Sequence, residues 1–181
     1  GISVIFTNID AVLNTGTFAG VDINSTYDFS DINTMSYTGL TFSGVSQLDA
    51  GSATDELKLG DLDSTWSLDD DGGRVSSSGN SLGFSGIENI TAGNGVDTFT
   101  VRSGTLNNIE TGAGNDSVNL NGGVGASLKT GDGDDVVELN NVASASVSLL
   151  GGSGTDNVLV NIDNVEWRFT DSVSETNYVS G

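Results

Sequence analysis

The pattern that most constrains the fold of this chain is a pentapeptide, G-x-G-x-D, that recurs at a nearly fixed interval. It occurs as GNGVD (93–97), GAGND (112–116), GDGDD (131–135) and GSGTD (152–156), and its aspartates are 19, 19 and 21 residues apart. A degraded fifth copy, GSATD (51–55), carries alanine at the second glycine position. Self-similarity at a short, fixed period is typical of proteins that are built from stacked repeats.

Each intact copy is followed by residues that alternate between apolar and polar. Val118 and Leu120 follow the second copy, and Val137 and Leu139 occupy the same positions after the third. A period of two with β-branched residues predicts a strand with one buried face. A second short apolar segment precedes each copy. An interval of 19 to 21 residues therefore accommodates two strands and two turns, but no helix.

These observations predict an all-β fold, namely a parallel β-solenoid of the β-helix or β-roll kind with coils of 19 to 21 residues. Residues 63–80, which include the string DDDGG, predict an inserted hairpin. We divide the chain into three parts: a longer-repeat part (1–83), a regular short-coil part (84–165), and a cap or linker (166–181). The longer repeat is marked by similar segments that begin at Phe6, Phe42 and Phe84.

Composition and charge exclude several classes of function. The 181 residues include 5 Lys and Arg, 25 Asp and Glu, and neither Cys nor His, so the net charge is −20. A chain this acidic repels nucleic acid and anionic lipid surfaces, and we expect neither as a partner. The missing Cys and His exclude disulfides, thiolate or imidazole metal sites and Ser-His-Asp triads. The apolar runs are too short for membrane insertion.

The residues also argue against an enzyme. The lyases and hydrolases that are built on β-helices use clustered basic residues or paired acids in a groove. In this chain the basic residues are few and scattered: Lys58, Arg74, Arg102, Lys129 and Arg168. No nucleophile with an accompanying base stands out in the sequence. We therefore expect no enzymatic activity.

The pentapeptides resemble the calcium-binding nonapeptide G-G-x-G-x-D-x-U-x of repeats-in-toxin (RTX) proteins, and GGSGTDNVL (151–159) matches all its fixed positions. Calcium takes six to eight oxygen ligands, and stacked turns would bring successive carboxylates into one column. The alternative of plain Asp-Gly turns stays open. The predicted Ca²⁺ residues are Gly93, Gly95, Asp97, Gly112, Gly114, Asp116, Gly131, Asp132, Gly133, Asp134, Asp135, Gly152, Gly154 and Asp156.

A longer string, TWSLDDDGGRVSSSGNSLGFSGIENITAGNGVDTFTV (65–101), resembles segments of large bacterial surface and secreted proteins of the adhesin or filamentous-haemagglutinin-like kind. The resemblance implies an extracellular location, a role in adhesion or biofilm formation, and a surface glycan or cell-surface receptor as partner. Near the end, NIDNV (161–165) repeats NIDAV (8–12), so we expect the chain to be a segment of a longer protein.

The sequence thus predicts an extracellular structural or adhesive module that is stabilised by calcium at its stacked turns. Two alternatives stay open. One is a carbohydrate-binding accessory module of a secreted enzyme, in which Trp66, Tyr27, Trp167 or Tyr178 would stack on sugar rings. The other is a self-assembling filament or surface-layer subunit that associates end to end through open sheet edges.

Overall fold

A computed structural model describes residues 11–13, 16–70, 72–104, 106–122, 127–141 and 147–162. In this part of the chain every regular element is a strand, so the all-β prediction is confirmed. The strands are β1 (Ala11–Leu13), β2 (Thr17–Ala19), β3 (Thr26–Asp31), β4 (Thr34–Tyr37), β5 (Leu40–Ser43), β6 (Gln47–Asp49), β7 (Glu56–Leu59), β8 (Ser64–Asp69), β9 (Gly72–Ser77), β10 (Asn80–Ser85), β11 (Asn89–Thr91), β12 (Asp97–Val101), β13 (Asn108–Glu110), β14 (Ser117–Asn121), β15 (Ser127–Asp132), β16 (Val136–Asn140), β17 (Ser148–Ser153) and β18 (Asn157–Val160).

The strands form two nine-stranded sheets. Sheet A has the order β1-β5-β4-β3-β7-β11-β13-β15-β17, and sheet B has the order β2-β6-β10-β9-β8-β12-β14-β16-β18. From β11 onward consecutive strands alternate between the sheets, and we call each consecutive pair, such as β11 with β12, a layer. Among the described residues, no helix is long and apolar enough to cross a membrane. The predicted cap or linker, 166–181, lies outside the described residues.

In the C-terminal layers, residues that pair across a sheet are separated along the chain by the same number of positions as the repeats of the sequence. Phe99 pairs in parallel with Val118, and Val118 pairs with Val137. Each of these partners follows at the interval of 19 positions that also separates the first three aspartates of the motif. Val137 pairs with Val158 at the longer interval of 21 positions that separates the last two. Equivalent residues of successive repeats are therefore direct neighbours across each sheet.

The N-terminal part contains one antiparallel meander in each sheet. The meander β3-β4-β5 lies in sheet A, and β8-β9-β10 lies in sheet B. Two-residue turns, Thr38-Gly39 and Ser78-Gly79, join the last two strands of each meander. Both residues of each turn have positive φ, as in the type I′ turns that suit hairpins. The pair β8–β9 lies within 63–80, where the sequence predicts a hairpin.

The similar segments of the N-terminal part do not stack on each other. FSGVSQLDAG (42–51) resembles FSGIENITAG (84–93), but β6 of the first lies in sheet B and β11 of the second in sheet A. Phe84 pairs in parallel with Leu48 and not with Phe42, the residue that it resembles in sequence. Between β6 and β11 the chain changes sheet three times. The second copy of the segment therefore lies in the opposite sheet from the first.

The core-facing side chains form rows that cross the sheets, with one residue from each strand. Alternation along each strand buries one face, as expected for period-two patterning. Trp66 stacks on Phe99 at a centroid distance of 5.2 Å and an interplanar angle of 4°. In sheet B this row continues through Val118 and Val137. The matching row of sheet A is Tyr27, Leu57, Ile90, Ile109 and Leu128.

Candidate functional site at the aspartate column

The intact pentapeptides form the corner that leads into sheet B. Asp97 begins β12, whereas Asp116, Asp135 and Asp156 directly precede β14, β16 and β18. The register continues this set to Ser64, which pairs with Asp97. We call these five residues the aspartate column. The structure thus brings together the four aspartates for which the sequence predicts a common column.

Asp55, the aspartate of the degraded copy, lies at a different corner. It directly precedes β7 in sheet A, and its Oδ1 accepts the backbone N–H of Ser25 at 2.8 Å. The repeat that carries Asp55 is displaced to the other sheet because the chain changes sheet three times between β6 and β11. Motif similarity therefore does not imply membership of the same column.

The carboxyl groups of the column face the interior. Asp97 and Asp135 are 0% exposed and Asp116 is 2% exposed, whereas Asp156 is half-buried. Buried carboxylates are costly unless they are hydrogen-bonded or paired with a cation. The partners of their oxygens therefore decide what the column can do.

One oxygen of each carboxyl group bonds to the preceding layer. The backbone N–H of Ser64 donates to Oδ1 of Asp97 at 3.0 Å, and the N–H of Asp97 donates to Oδ1 of Asp116 at 2.8 Å. The N–H of Asp116 donates to Asp135 at 2.8 Å, and that of Asp135 to Asp156 at 3.2 Å. The side chains thus satisfy the backbone donors of the corner.

The second oxygen of three of these carboxyl groups is buried without a hydrogen-bond partner in the described part of the chain. Oδ2 of Asp97, Asp116 and Asp135 accepts no hydrogen bond from these residues. Burial raises the pKa of the Asp97 carboxyl from 3.8 to about 7, and the carboxylate of Asp116 adds to the shift. Burial also raises the pKa of Asp116. These Oδ2 atoms are the feature that most favours a bound cation.

Exposed residues of the same turns form a second set of bonds. Oδ1 of Asn115 accepts the backbone N–H of Asp134 at 3.0 Å, and Oδ1 of Asp134 accepts the N–H of Thr155 at 2.8 Å. The Ser153 hydroxyl donates to Asp132. Asp132 and Asp134, both predicted metal residues, are therefore bonded to the neighbouring layer from the solvent side.

The glycines of the motif allow close contact between backbones. Gly112 has φ of +107°, and a Cβ added there would overlap the carbonyl oxygen of Gly93. Gly114 has φ of +139°, and its Cβ would overlap the carbonyl oxygen of Gly95. The same overlap recurs one and two layers on, at Gly131, Gly133, Gly152 and Gly154. Positive φ and a neighbouring backbone both require glycine here.

The turn oxygens do not complete a calcium shell in this arrangement. Calcium needs six to eight oxygens at about 2.3–2.6 Å. The carbonyl oxygen of Gly93 accepts the N–H of Ala113, that of Gly112 accepts the N–H of Asp132, and both lie against the next glycine. In the described residues, no three Asp or Glu side chains are grouped so that they could hold a metal. Calcium stays a prediction of the sequence.

The aromatic residues considered for sugar stacking are not available in the described part. Trp66 and Tyr27 are both 0% exposed, so neither ring can stack on a glycan. Trp66 instead donates its Nε1–H to the Ser64 hydroxyl at 2.6 Å, and that hydroxyl donates to Asp97. Trp167 and Tyr178 lie outside the described residues.

Ser64 and the preceding residue, Asp63, belong to this corner, but the pentapeptide pattern does not identify them. Ser64 lies in no G-x-G-x-D copy, yet it begins the aspartate column. The sequence does contain a signal for this corner, namely the similarity of NSTYDF (24–29) to DSTWSL (63–68). Each string starts with Asn or Asp and leads into a strand of the core. Asn24 and Asp63 accept backbone N–H groups of later layers, as Asn115 does.

Comparison of the chain with protein-family models, with curated proteins and with solved structures finds no match. The class of protein therefore rests on the fold and the column alone. The fold defines an all-β chain of two sheets in which successive layers repeat one register, with side-chain ladders along one corner. The resemblance to RTX and adhesin segments remains an expectation.

Proposed function

We propose that the chain is a parallel β-solenoid that serves as a structural or adhesive module of a bacterial surface or secreted protein. The observation that supports this most strongly is the uninterrupted parallel pairing from β11 to β18, which adds one strand to each sheet per layer. Strands in a sheet are about 4.8 Å apart, so nine per sheet amount to a rod about 40 Å long.

The outer faces of the sheets also favour a structural role. Glu56 accepts hydrogen bonds from the hydroxyls of Thr26 and Thr91, which lie on the neighbouring strands β3 and β11. Lys129 of β15 forms an ion pair with Glu110 of β13. These side chains bond along the stack, from one strand to the next, which favours stiffness along the rod. The net charge of −20 would keep such a rod soluble.

Small-angle X-ray scattering of the purified chain tests the rod. We expect an elongated particle whose cross-section holds two packed sheets about 10 Å apart, with their side chains. A compact, near-spherical particle would contradict the solenoid. This measurement is independent of what the module does outside the cell.

Display of the chain on a non-adherent bacterium tests the adhesive role. We expect increased attachment to surfaces or increased cell–cell clumping. The matched control is Val118→Asp, which places a charge in the buried row and unfolds the layer. Equal attachment of both strains would contradict adhesion and would leave a purely structural module.

A further inference from the structure

We propose that the aspartate column and the exposed Asx side chains of the same corners form a hydrogen-bond stitch that joins the layers without a metal ion. The module would then fold in the absence of calcium. This assigns the aspartates a role other than the one implied by the RTX resemblance. It does not depend on whether the module is adhesive.

The stitch connects each pair of layers in both directions. On the inner side, the carboxyl group of the later layer accepts an N–H of the earlier one, as Asp116 does from Asp97. On the outer side, the earlier layer accepts from the later one, as Asn115 does from Asp134. The inner bonds satisfy backbone N–H groups of buried residues, such as Asp97 and Asp116, which would be costly to leave unpaired. The outer bonds lie in exposed parts of the same turns.

The same bonds occur at a corner that has no intact calcium motif. In the corner that leads into sheet A, Asp55 accepts the N–H of Ser25 on the inner side. On the outer side, Asn24 accepts the N–H of Thr54 at 3.1 Å. The earlier segment, VDINS (21–25), has no glycine at all, and GSATD lacks the second glycine. The pairing therefore does not require G-x-G-x-D.

The stitch also spans layers that are longer than the regular ones. Asp61 accepts the N–H of Asn94 at 3.0 Å, and Asp63 accepts the N–H of Val96 at 2.9 Å, in both cases across 33 residues. The glycines have a separate reason to be present, because they allow backbone contact between turns. The two glycines and the aspartate of the motif thus each have a role that involves no cation.

The unpartnered Oδ2 atoms favour a bound cation, whereas the hydrogen bonds to Oδ1 favour the stitch. The test must therefore distinguish the loss of the negative charge from the loss of the hydrogen-bond acceptor. Asparagine keeps an oxygen acceptor and removes the charge, whereas alanine removes both. We would compare Asp116→Asn and Asp116→Ala with the wild-type chain, after chelation and again with millimolar Ca²⁺. The readouts are the melting temperature and the exchange rate of the Asp97 amide by NMR.

We expect the wild-type chain to be folded after chelation, with a melting temperature that calcium does not change. Asp116→Asn should keep the slow exchange of the Asp97 amide. Asp116→Ala should speed that exchange by about tenfold to hundredfold, because the buried N–H loses its acceptor. Asp28 lies on the exposed face of β3, so Asp28→Asn is the control and should change neither readout.

Two results would overturn the stitch. One is a chain that is unfolded after chelation and folds with millimolar Ca²⁺ but not with Mg²⁺. The other is an Asp116→Asn variant that loses as much protection at the Asp97 amide as Asp116→Ala does. If the alanine variant does not fold, the asparagine variant and the chelated wild type still decide the question. Scattering and display are carried out in millimolar Ca²⁺, so that the stitch can fail while the solenoid and its adhesive role are still tested on a folded chain.

Discussion

The N-terminal part of the two sheets and the C-terminal layers fill the core between the sheets with different kinds of residue. In the N-terminal part, Tyr27 stacks on Tyr37 at 5.1 Å, and Trp66 stacks on Phe99 at the junction with the C-terminal layers. In the C-terminal layers the corresponding rows hold Val, Leu and Ile, such as Val118 and its partner Val137. Stacked rings thus occur in the N-terminal part and at the junction, and aliphatic residues continue the rows beyond Phe99.

The comparison shows how layer length decides what must hold the corners. The N-terminal part contains meanders, whose antiparallel ladders pair backbone groups within the sheets. In the residues that the structure describes, each short C-terminal layer has two strands and tight corners. Side-chain acceptors bond the corners of both parts, and the C-terminal corners depend in addition on closely packed glycines. The following substitutions test this difference, in order of decreasing effect.

The largest effect is expected at the aromatic junction. Trp66→Ala should lower the free energy of unfolding by about 3–5 kcal/mol, because it empties a buried site against Phe99 and leaves the Ser64 hydroxyl without its donor. Urea unfolding followed by far-UV circular dichroism measures this loss. Trp66→Phe keeps a ring in the stack and should lose clearly less. Equal losses would show that ring packing is not what holds the junction.

Next come the glycine corners, which can be compared with a turn of the meander. Gly112→Ala should lower the free energy of unfolding by about 3 kcal/mol or more, since it combines positive φ with overlap on the Gly93 carbonyl. Gly39 has φ of +81° but open space around it, so Gly39→Ala should lose only about 1–2 kcal/mol. Denaturant titration measures the loss for each variant, and the difference between the two losses gives the contribution of the contact with the Gly93 carbonyl. A similar loss at both sites would argue against close stacking.

The buried carboxyl of Asp97 gives a moderate effect that depends on pH. Its pKa is raised to about 7 in the folded chain from 3.8, so folding favours the protonated form. Its contribution to stability is fully present below pH 3.8 and is lost as pH rises through about 7. Asp97→Asn should therefore gain stability relative to wild type at pH 8 compared with pH 5. A stability difference that does not change with pH would refute this.

The smallest effect is expected on the outer face of sheet A. Lys129→Ala removes the ion pair with Glu110, whose side chains are 47% and 37% exposed. Exposed pairs contribute about 0.2–1 kcal/mol and are screened by salt. Melting temperatures at low and high salt should differ more for wild type than for the variant. A loss comparable to that of Gly112→Ala would mean that the outer face, rather than the corners, holds the layers.

Local patterns in the sequence determined the all-β class and the spacing of the C-terminal layers. Alternation at Val118 and Leu120 predicts strands, and the spacing of the G-x-G-x-D aspartates equals that of paired strands. These features depend on residues close together in the chain and on a period that the chain repeats. The buried rows follow from the same alternation.

Only the tertiary structure decided which repeats are neighbours and which way the carboxyl groups point. The FSG segments look like one stack, yet the meanders place them in opposite sheets, because an inserted strand pair changes where the chain returns. The aspartates look like surface ligands, yet Asp97 and Asp135 are buried, because their oxygens are acceptors for backbone donors of the preceding layer. Such bonds join residues that are far apart in the chain, and no local pattern specifies them.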